Sequence, residues 1–271
     1  MMNLKLISYE ETQLPEVKEY IGKVCKAKEI AIEQNNEKVA NDLWREHEAL
    51  EANFLFIGAF NELKKGNYRQ AWVDFEKCEI KCKFLEENSD DDFLSRKRIK
   101  FISSQIPKWQ ALYPYCVFVS PGFTVGYYTC SICNHKIRPR SRCGHEKGKL
   151  YNGKLCLHVA HDMNFKEISI VSSPVQKYSV VHDDSTLDFS VLEHLLSFLE
   201  NAYEDWNYEK KTKKFPRAKF NSVQADSGCP CKSGSVFREC CFNKSDIEIP
   251  HIDFIFYKEI SEEKQNIKFP Y

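Results

Sequence analysis

Seven of the twelve cysteines fall in two short stretches whose spacing suits a metal ion. In CPCKSGSVFRECC, Cys229 and Cys231 form one pair and Cys240 and Cys241 another, with eight residues between the pairs. A loop of that length lets the chain double back and bring both pairs to one ion. Zinc suits the set, because it accepts four thiolates and has no d-electron preference for geometry. Pro230 fixes φ within the first pair, and Gly228 and Gly234 permit tight backbone paths. In CSICNHKIRPRSRCGH, Cys130-x2-Cys133 is followed nine residues later by Cys143-x-His145. Three sulfurs and one nitrogen again complete a tetrahedron. Cys156, His135, His158 and His161 are alternative fourth ligands, although alternation on a strand accounts for Cys156, His158 and His161. Four protein donors leave no open position, so both ions are expected to be structural. Structural zinc contributes an apparent 10–16 kcal/mol or so at neutral pH, enough to shape a segment with little core.

Other chemistry-bearing residues are fewer. The loop of the first cluster carries Lys136, Arg138, Arg140 and Arg142, and a later stretch carries Lys210, Lys211, Lys213 and Lys214 among aromatics. Both can engage phosphates, and aromatics between cations can stack bases; the alternatives are a solvated loop and a flexible linker. Cys25, Cys78, Cys82 and Cys116 read as small buried hydrophobes. Asp183, Asp184 and Asp188 read as charge at a helix N-terminus. The chain has no phosphate-cradling glycine loop and no dinucleotide fingerprint.

These residues need elements to position them. Apolar spacing predicts helices from residue 15 to about 112, with NDLWREHEALEANFLFIGAFNELKKG stopping at Gly66. Ala71, Phe75, Cys78, Cys82 and Leu85 then share a face of a second helix, giving an antiparallel hairpin joined at KGNY. Asp90, Asp91 and Asp92 supply a cap and charge for another helix through residue 113. From Tyr113 the texture turns to β. CVFVSPGFTVGYY predicts a hairpin turning at Pro121-Gly122, KLYNGKLCLHVAHD an Asn-Gly hairpin, and KEISIVSS and QKYSVV further strands. A helix over 185–206 has Ser185 or Thr186 as cap and Leu192, Leu195, Leu196 and Leu199 as its stripe. YEKKTKKFPRAKF, broken by Pro216, reads as a linker, and IPHIDFIFYKEI as a strand. The expected organisation is α+β: a helical bundle (1–112), a small β domain with a zinc site (113–184), a helix and basic linker (185–222), a zinc knuckle (223–245), and a strand with tail (246–271).

Three resemblances add expectations. CPCKSGSVFRECC resembles the SEC-C motif, the zinc tail of the bacterial protein-export motor ATPase and of many small bacterial proteins. Cys229, Cys231, Cys240, Cys241, Pro230, Ser233 and Gly234 match it; Lys232 stands where the motif usually has Gly, and Ser235 where it usually has Lys. The resemblance implies an interaction module with a protein or ribosome as partner. The hairpin over 52–85 resembles a tetratricopeptide repeat at Ala59, Gly66, Tyr68, Ala71 and Phe75. Residues 117–181 are similar to the C-terminal half of phage prohead proteases. Ser120, Gly122 and Phe123 match that family's nucleophile segment, and Glu167, Ser169, Val171 and Pro174 match its following strand. That resemblance implies Ser120 as nucleophile. However, the only upstream histidine, His47, falls in a predicted helix, and Pro121 has no N–H to offer an oxyanion. The β domain is therefore expected to keep that fold without the protease, with a serine hydrolase as the alternative.

Lys plus Arg and Asp plus Glu both number 39, so net charge is zero and any basic surface is local. The N-terminal stretch lacks a basic start and apolar run, and no segment reaches about 18 unbroken apolar residues. The expected setting is cytoplasmic, with thiols or metal ligands rather than disulfides. The expected role is a zinc-binding adaptor with two zinc ions and a protein partner, nucleic acid or ribosome being the further option, and no membrane.

Overall fold

The computed structural model describes residues 6–269. Residues 1–5, read above as part of the helical domain and of the N-terminal stretch, and residues 270–271 of the expected tail lie outside the described residues. The chain mixes helix and sheet, as its patterning predicts. It divides into two compact units, Met1–Tyr203 with Ile267–Tyr271, and Glu204–Asn266.

The first unit begins with α1 (Tyr9–Thr12), α2 (Pro15–Glu33), α3 (Glu37–Lys64), α4 (Tyr68–Asn88), α5 (Asp91–Arg96) and α6 (Ile99–Gln110). The α3–α4 hairpin forms where the apolar period places it. Gly66, at φ 78°, donates to the Leu63 carbonyl at 3.0 Å, and Asn67 N–H donates to that of Glu62 at 2.9 Å. This pair of bonds satisfies the last carbonyls of α3 and reverses the chain. Ala71, Phe75, Cys78, Cys82 and Leu85 are all buried. The Cys78 thiol donates to the Ala52 carbonyl at 3.1 Å, and burial pushes its pKa up, so it packs rather than reacts.

Asp90 caps α5, accepting the Phe93 N–H at 2.7 Å. The helix expected to continue to 113 instead breaks at Arg98, whose φ is 61°. Contacts distant in sequence hold the break. Asn53 Nδ2 donates to the Lys97 carbonyl at 3.0 Å, Lys97 Nζ meets the buried Glu46 at 2.7 Å, and Arg98 donates to the Leu6 carbonyl at 2.7 Å.

Next come β1 (Phe118–Cys130), β2 (Lys136–Ile137), β3 (Leu150–Tyr151), β4 (Lys154–Leu155) and β5 (His158–Val171). The sheet runs β2-β1-β5, antiparallel throughout, with β3–β4 a separate hairpin. The expected turn at Pro121-Gly122 is absent: β1 runs straight through, with Pro121 opposite Ile168. Val119 N–H points away from β5, to the Ser179 carbonyl at 2.9 Å. Two residues on, Pro121 faces the same side, where no ladder bond is needed, so the proline is tolerated. Lys166 is an extra residue in β5, since Phe123 faces Phe165 while Gly122 faces Glu167. This is a bulge, and it shifts the side-chain phase of β5 by one. Gly126 is needed for strand approach, because a Cβ there would lie 2.8 Å from that of Asp162.

The Asn152-Gly153 turn forms as predicted, with φ of 45° and 72°. Its tip seats on the helices: a Cβ on Gly153 would meet the Ala40 Cβ at 3.1 Å, and Asn41 Oδ1 accepts the Gly153 N–H at 2.7 Å. QKYSVV is not a strand beyond one bridge, Phe118 to Val180. α4 holds it instead. Buried Glu76 accepts the N–H groups of Lys177 and Tyr178 at 2.6 and 2.5 Å, and Trp72 Nε1 donates to the Lys177 carbonyl at 2.6 Å. The helix expected over 185–206 shortens to a 3-10 turn at Asp184–Thr186 and α7 (Ser190–Phe198). Its stripe is buried as predicted, and Lys64 Nζ takes the carbonyls of Leu196 and Leu199 at 2.6 Å each, which ends it. Among the described residues no helix is long and apolar enough to cross a membrane.

The second unit is built on β6 (Trp206–Pro216) and β7 (Asp246–Phe256), with α8 (Phe237–Cys240) between them and α9 (Glu262–Gln265) after. The ribbon keeps one register from Trp206 opposite Phe256 to Pro216 opposite Asp246. The stretch read as a basic linker is therefore a strand, followed by a 3-10 turn at Arg217–Phe220. Ion pairs across the ribbon stand in for apolar alternation: Lys211 with Asp253 at 3.0 Å, Lys214 with Glu248 at 3.1 Å.

Candidate metal centres

The far end of the β6–β7 ribbon gathers residues 217–245 into a knob. Arg217 N–H donates to the Ser245 carbonyl at 2.9 Å and closes it. Phe237 is fully buried, with Cys229, Cys241, Ile247 and Ile249 around it. The knob thus has a small apolar core as well as ligands, which the sequence reading did not anticipate. The Arg217 guanidinium lies 5.2 Å and 4.7 Å from the ring centroids of Phe237 and Phe242.

Around this core the sulfurs converge. Cys229 to Cys231 is 3.2 Å, Cys231 to Cys240 is 3.5 Å and Cys240 to Cys241 is 3.7 Å, and all four lie within 4.8 Å of one another. A tetrahedron with metal–sulfur bonds of about 2.3 Å has edges of about 3.8 Å, so the donors stand close to where an ion needs them. The Ser233 hydroxyl, outweighing burial, pulls the Cys231 thiol down to about 6. Burial and the neighbouring thiols push Cys241 up to about 12. Cys231 takes the charge while Cys229 and Cys241 hold their protons more tightly; a divalent cation lets all four ionise. This donor set can hold a metal ion.

The first cluster lies at the end of β1, which delivers the fully buried Cys130. Asn134, at φ 58°, turns the chain, its N–H donating to the Cys130 carbonyl at 2.8 Å. Cys130 N–H then donates to the His135 carbonyl at 3.0 Å as the chain enters β2. Cys130, Cys133, Cys143 and His145 place one ligand atom each within 4.8 Å of all the others. His145 Nδ1 is 3.7 Å from Cys130 Sγ, with its ring edge-on to Tyr151 at 4.6 Å. These four can hold a second ion.

Cys156, read as a strand residue, lies instead in the connection between β4 and β5, its Sγ 3.7 Å from that of Cys130. It is a fifth donor against the same sulfur. Burial raises Cys156 to about 11. At Cys130 burial works the same way but is outweighed by the N–H groups of Cys133 and Ile132 and by neighbouring thiols, which bring it to about 6. The other alternative ligands are engaged elsewhere. His135 Nε2 meets Ser141 Oγ at 3.2 Å, His161 Nε2 meets Thr129 Oγ1 at 2.8 Å, and the His158 ring tilts against Tyr128.

The two basic stretches differ in what they offer. Arg138, Arg142, Lys147, Tyr128 and His158 line a cavity of about 750 Å³ beside Cys143 and His145. No ion pair is formed by Arg138, Arg140 or Arg142 among the described residues. Lys136 lies over the Tyr127 ring, 3.7 Å from its centroid. In β6, by contrast, Lys211, Lys213 and Lys214 are paired with acids across the ribbon, while Lys210 sits opposite Ile252.

Ser120 stands inside β1 opposite Ser169, and no histidine or acid hydrogen-bonds its hydroxyl among the described residues. His47 is on α3, 3.3 Å from Glu48. Sequence reasoning missed one pair: Cys116 Sγ lies 3.5 Å from His182 Nε2. That nitrogen accepts the N–H groups of Cys116 and Val117 at 3.2 and 3.1 Å. Its lone pair is therefore taken by the backbone and not free to act as a base. Asp183 and Asp188, read as charge at a helix N-terminus, accept backbone N–H groups: Asp183 caps the 3-10 turn through Ser185 N–H at 3.0 Å, and Asp188 accepts the Ser190 N–H at 3.0 Å, whereas Ser185 and Thr186, read as the cap, lie inside the 3-10 turn. Asp184 instead takes Arg69 at 2.6 Å and the Tyr115 hydroxyl at 3.0 Å. Comparison with known proteins finds no matching family model, no matching curated protein and no matching solved structure.

Proposed function

We propose that the chain is a two-zinc interaction protein whose C-terminal knob, a SEC-C-type knuckle, binds a protein partner. The observation that carries this reading is the sulfur tetrahedron of Cys229, Cys231, Cys240 and Cys241 at the end of a two-stranded ribbon. Zinc is the ion that four thiolates favour, and closure by four ligands directs it to structure rather than catalysis. The first centre, Cys130, Cys133, Cys143 and His145, takes the second zinc and stiffens the loop that follows β1. The experiment is affinity purification with the intact chain beside the Cys240→Ser/Cys241→Ser variant. The intact chain is expected to retain two zinc equivalents and a stoichiometric partner. The variant is expected to retain one equivalent and lose that partner; a partner kept at full yield would contradict the role of the knob.

A second reading belongs to the cavity beside the first centre. Guanidinium groups without acidic partners, next to the exposed Tyr128, suit a single-stranded nucleic acid. Fluorescence anisotropy with labelled RNA and DNA at low salt checks it. Salt-sensitive binding weakened by Arg138→Ala/Arg142→Ala is the expected result, and no binding removes this reading.

A further inference from the structure

The β1–β5 ribbon gathers apolar side chains of both strands on one face, and the bulge at Lys166 is what makes that face continuous. Along β1, Val119, Pro121, Phe123, Val125 and Tyr127 alternate onto it. Along β5 the apolar phase changes, from Val159, Met163 and Phe165 to Ile168 and Ile170. In an unbroken strand the last two would point to the opposite face. The extra residue corrects the phase: Phe165 faces Phe123, Ile168 faces Pro121 and Ile170 faces Val119. The other face carries Ser120, Gly122, Thr124, Asn164 and Ser169. At the β2 end, Lys136 closes the apolar face by lying over Tyr127.

This face is open. Phe123, Val159, Met163, Phe165, Ile168 and Ile170 are between 43% and 77% exposed. Together these residues expose about 700 Å², the greater part of it apolar side chain, against the roughly 300–600 Å² of the largest apolar patch on a typical monomer. A two-stranded ribbon is also marginally stable in water without something against its apolar side.

We infer that the apolar face of the β1–β5 ribbon is a homodimer interface, closed by the same face of a second copy of this chain. Two such faces remove about 1,400 Å², inside the roughly 1,200–2,000 Å² of a standard stable interface. Lys136 stands at the β2 end of the face, over Tyr127, so a two-fold pairing about Phe165 and Ile168 keeps it at the rim. The zero net charge of the chain adds no long-range repulsion. The two inner faces pack as two sheets do, about 10 Å apart.

Sedimentation velocity of the full zinc-loaded chain at about 20 µM, above the weak end for interfaces of this size, tests the inference. The wild type is expected to sediment as a dimer. Phe165→Glu/Ile168→Glu, which sets charges into the face, is expected to weaken association more than about 100-fold and give a monomer. Thr124→Lys, on the opposite face, is expected to stay dimeric. A wild-type monomer, whatever else it captures, overturns the inference, and so does a dimer that survives the double substitution. If the double variant does not fold, the wild type alone decides through oxidation of Met163 by dilute peroxide, read by peptide mass spectrometry. Its rate is expected to fall as protein concentration rises through dimerisation, and a rate independent of concentration overturns the inference.

Discussion

At Cys231 the neighbouring Ser233 hydroxyl favours thiolate, and that sets how the knob loads. Its pKa in the metal-free chain lies at about 6, below the ordinary thiol value of 9.0, so thiolate is present above about 6 and lost as pH falls through it. Metal re-uptake after chelation is therefore expected to be fast at pH 7 and to fall off below pH 6, measured with a zinc-sensitive dye. Re-uptake unchanged down to pH 5 would contradict this account of the site. At the first centre His145 and Cys156 both approach Cys130, but the set with all donors within 4.8 Å includes His145. Removing the imidazole in His145→Ala is expected to weaken that site by about 10-fold or more, whereas Cys156→Ser keeps two zinc equivalents, both read by competition with a chelator. The eight candidate ligands were legible because metal spacing is a local property of sequence. The apposition of Cys156 to Cys130 was not, because a fifth sulfur arriving from a connection 26 residues away leaves no spacing signature. Nor was the Cys116–His182 contact, whose members meet only when α4 holds the 176–184 segment.

Elements were readable where one face repeats and unreadable where distant contacts decide. The α3–α4 hairpin carries its own period and its own stop at Gly66, and it forms where expected. The break at Arg98 depends on Asn53, Glu46 and Leu6, none of them within 40 residues in sequence. β6 hid as a linker because four of its eleven residues are lysines, and its strand character comes from the acids and isoleucines of β7. Glu76 shows how one side chain fixes an element. It is nearly buried and accepts two backbone N–H groups from the segment beside β1, while burial raises its pKa. Glu76→Ala leaves both donors without that acceptor and is expected to cost about 2–4 kcal/mol, measured by urea unfolding. A loss below about 0.5 kcal/mol would mean that the segment is held by other means.

On the scale of the molecule, two units carry one centre each. The first unit has extensive aromatic packing of its own, with Phe56, Phe75 and Trp109 in sequence of contact at 6.0 and 5.9 Å. In the second unit the knob relies on a core of a few side chains around Phe237. Chelation is therefore expected to strip amide protection from residues 217–245 while α3 and α4 keep theirs, as read by hydrogen exchange with mass spectrometry. The α+β class was legible from composition and period, but the pairing of β6 with β7 around the knob was not, because the partners are separated by the whole metal loop. The account rests on metal at both centres. Elemental analysis of the full chain, purified without chelator and desalted, measures this directly. The prediction is two zinc atoms per chain, falling to one in Cys240→Ser/Cys241→Ser. A chain that folds with no bound zinc, or a wild type with the same content as the variant, would contradict it.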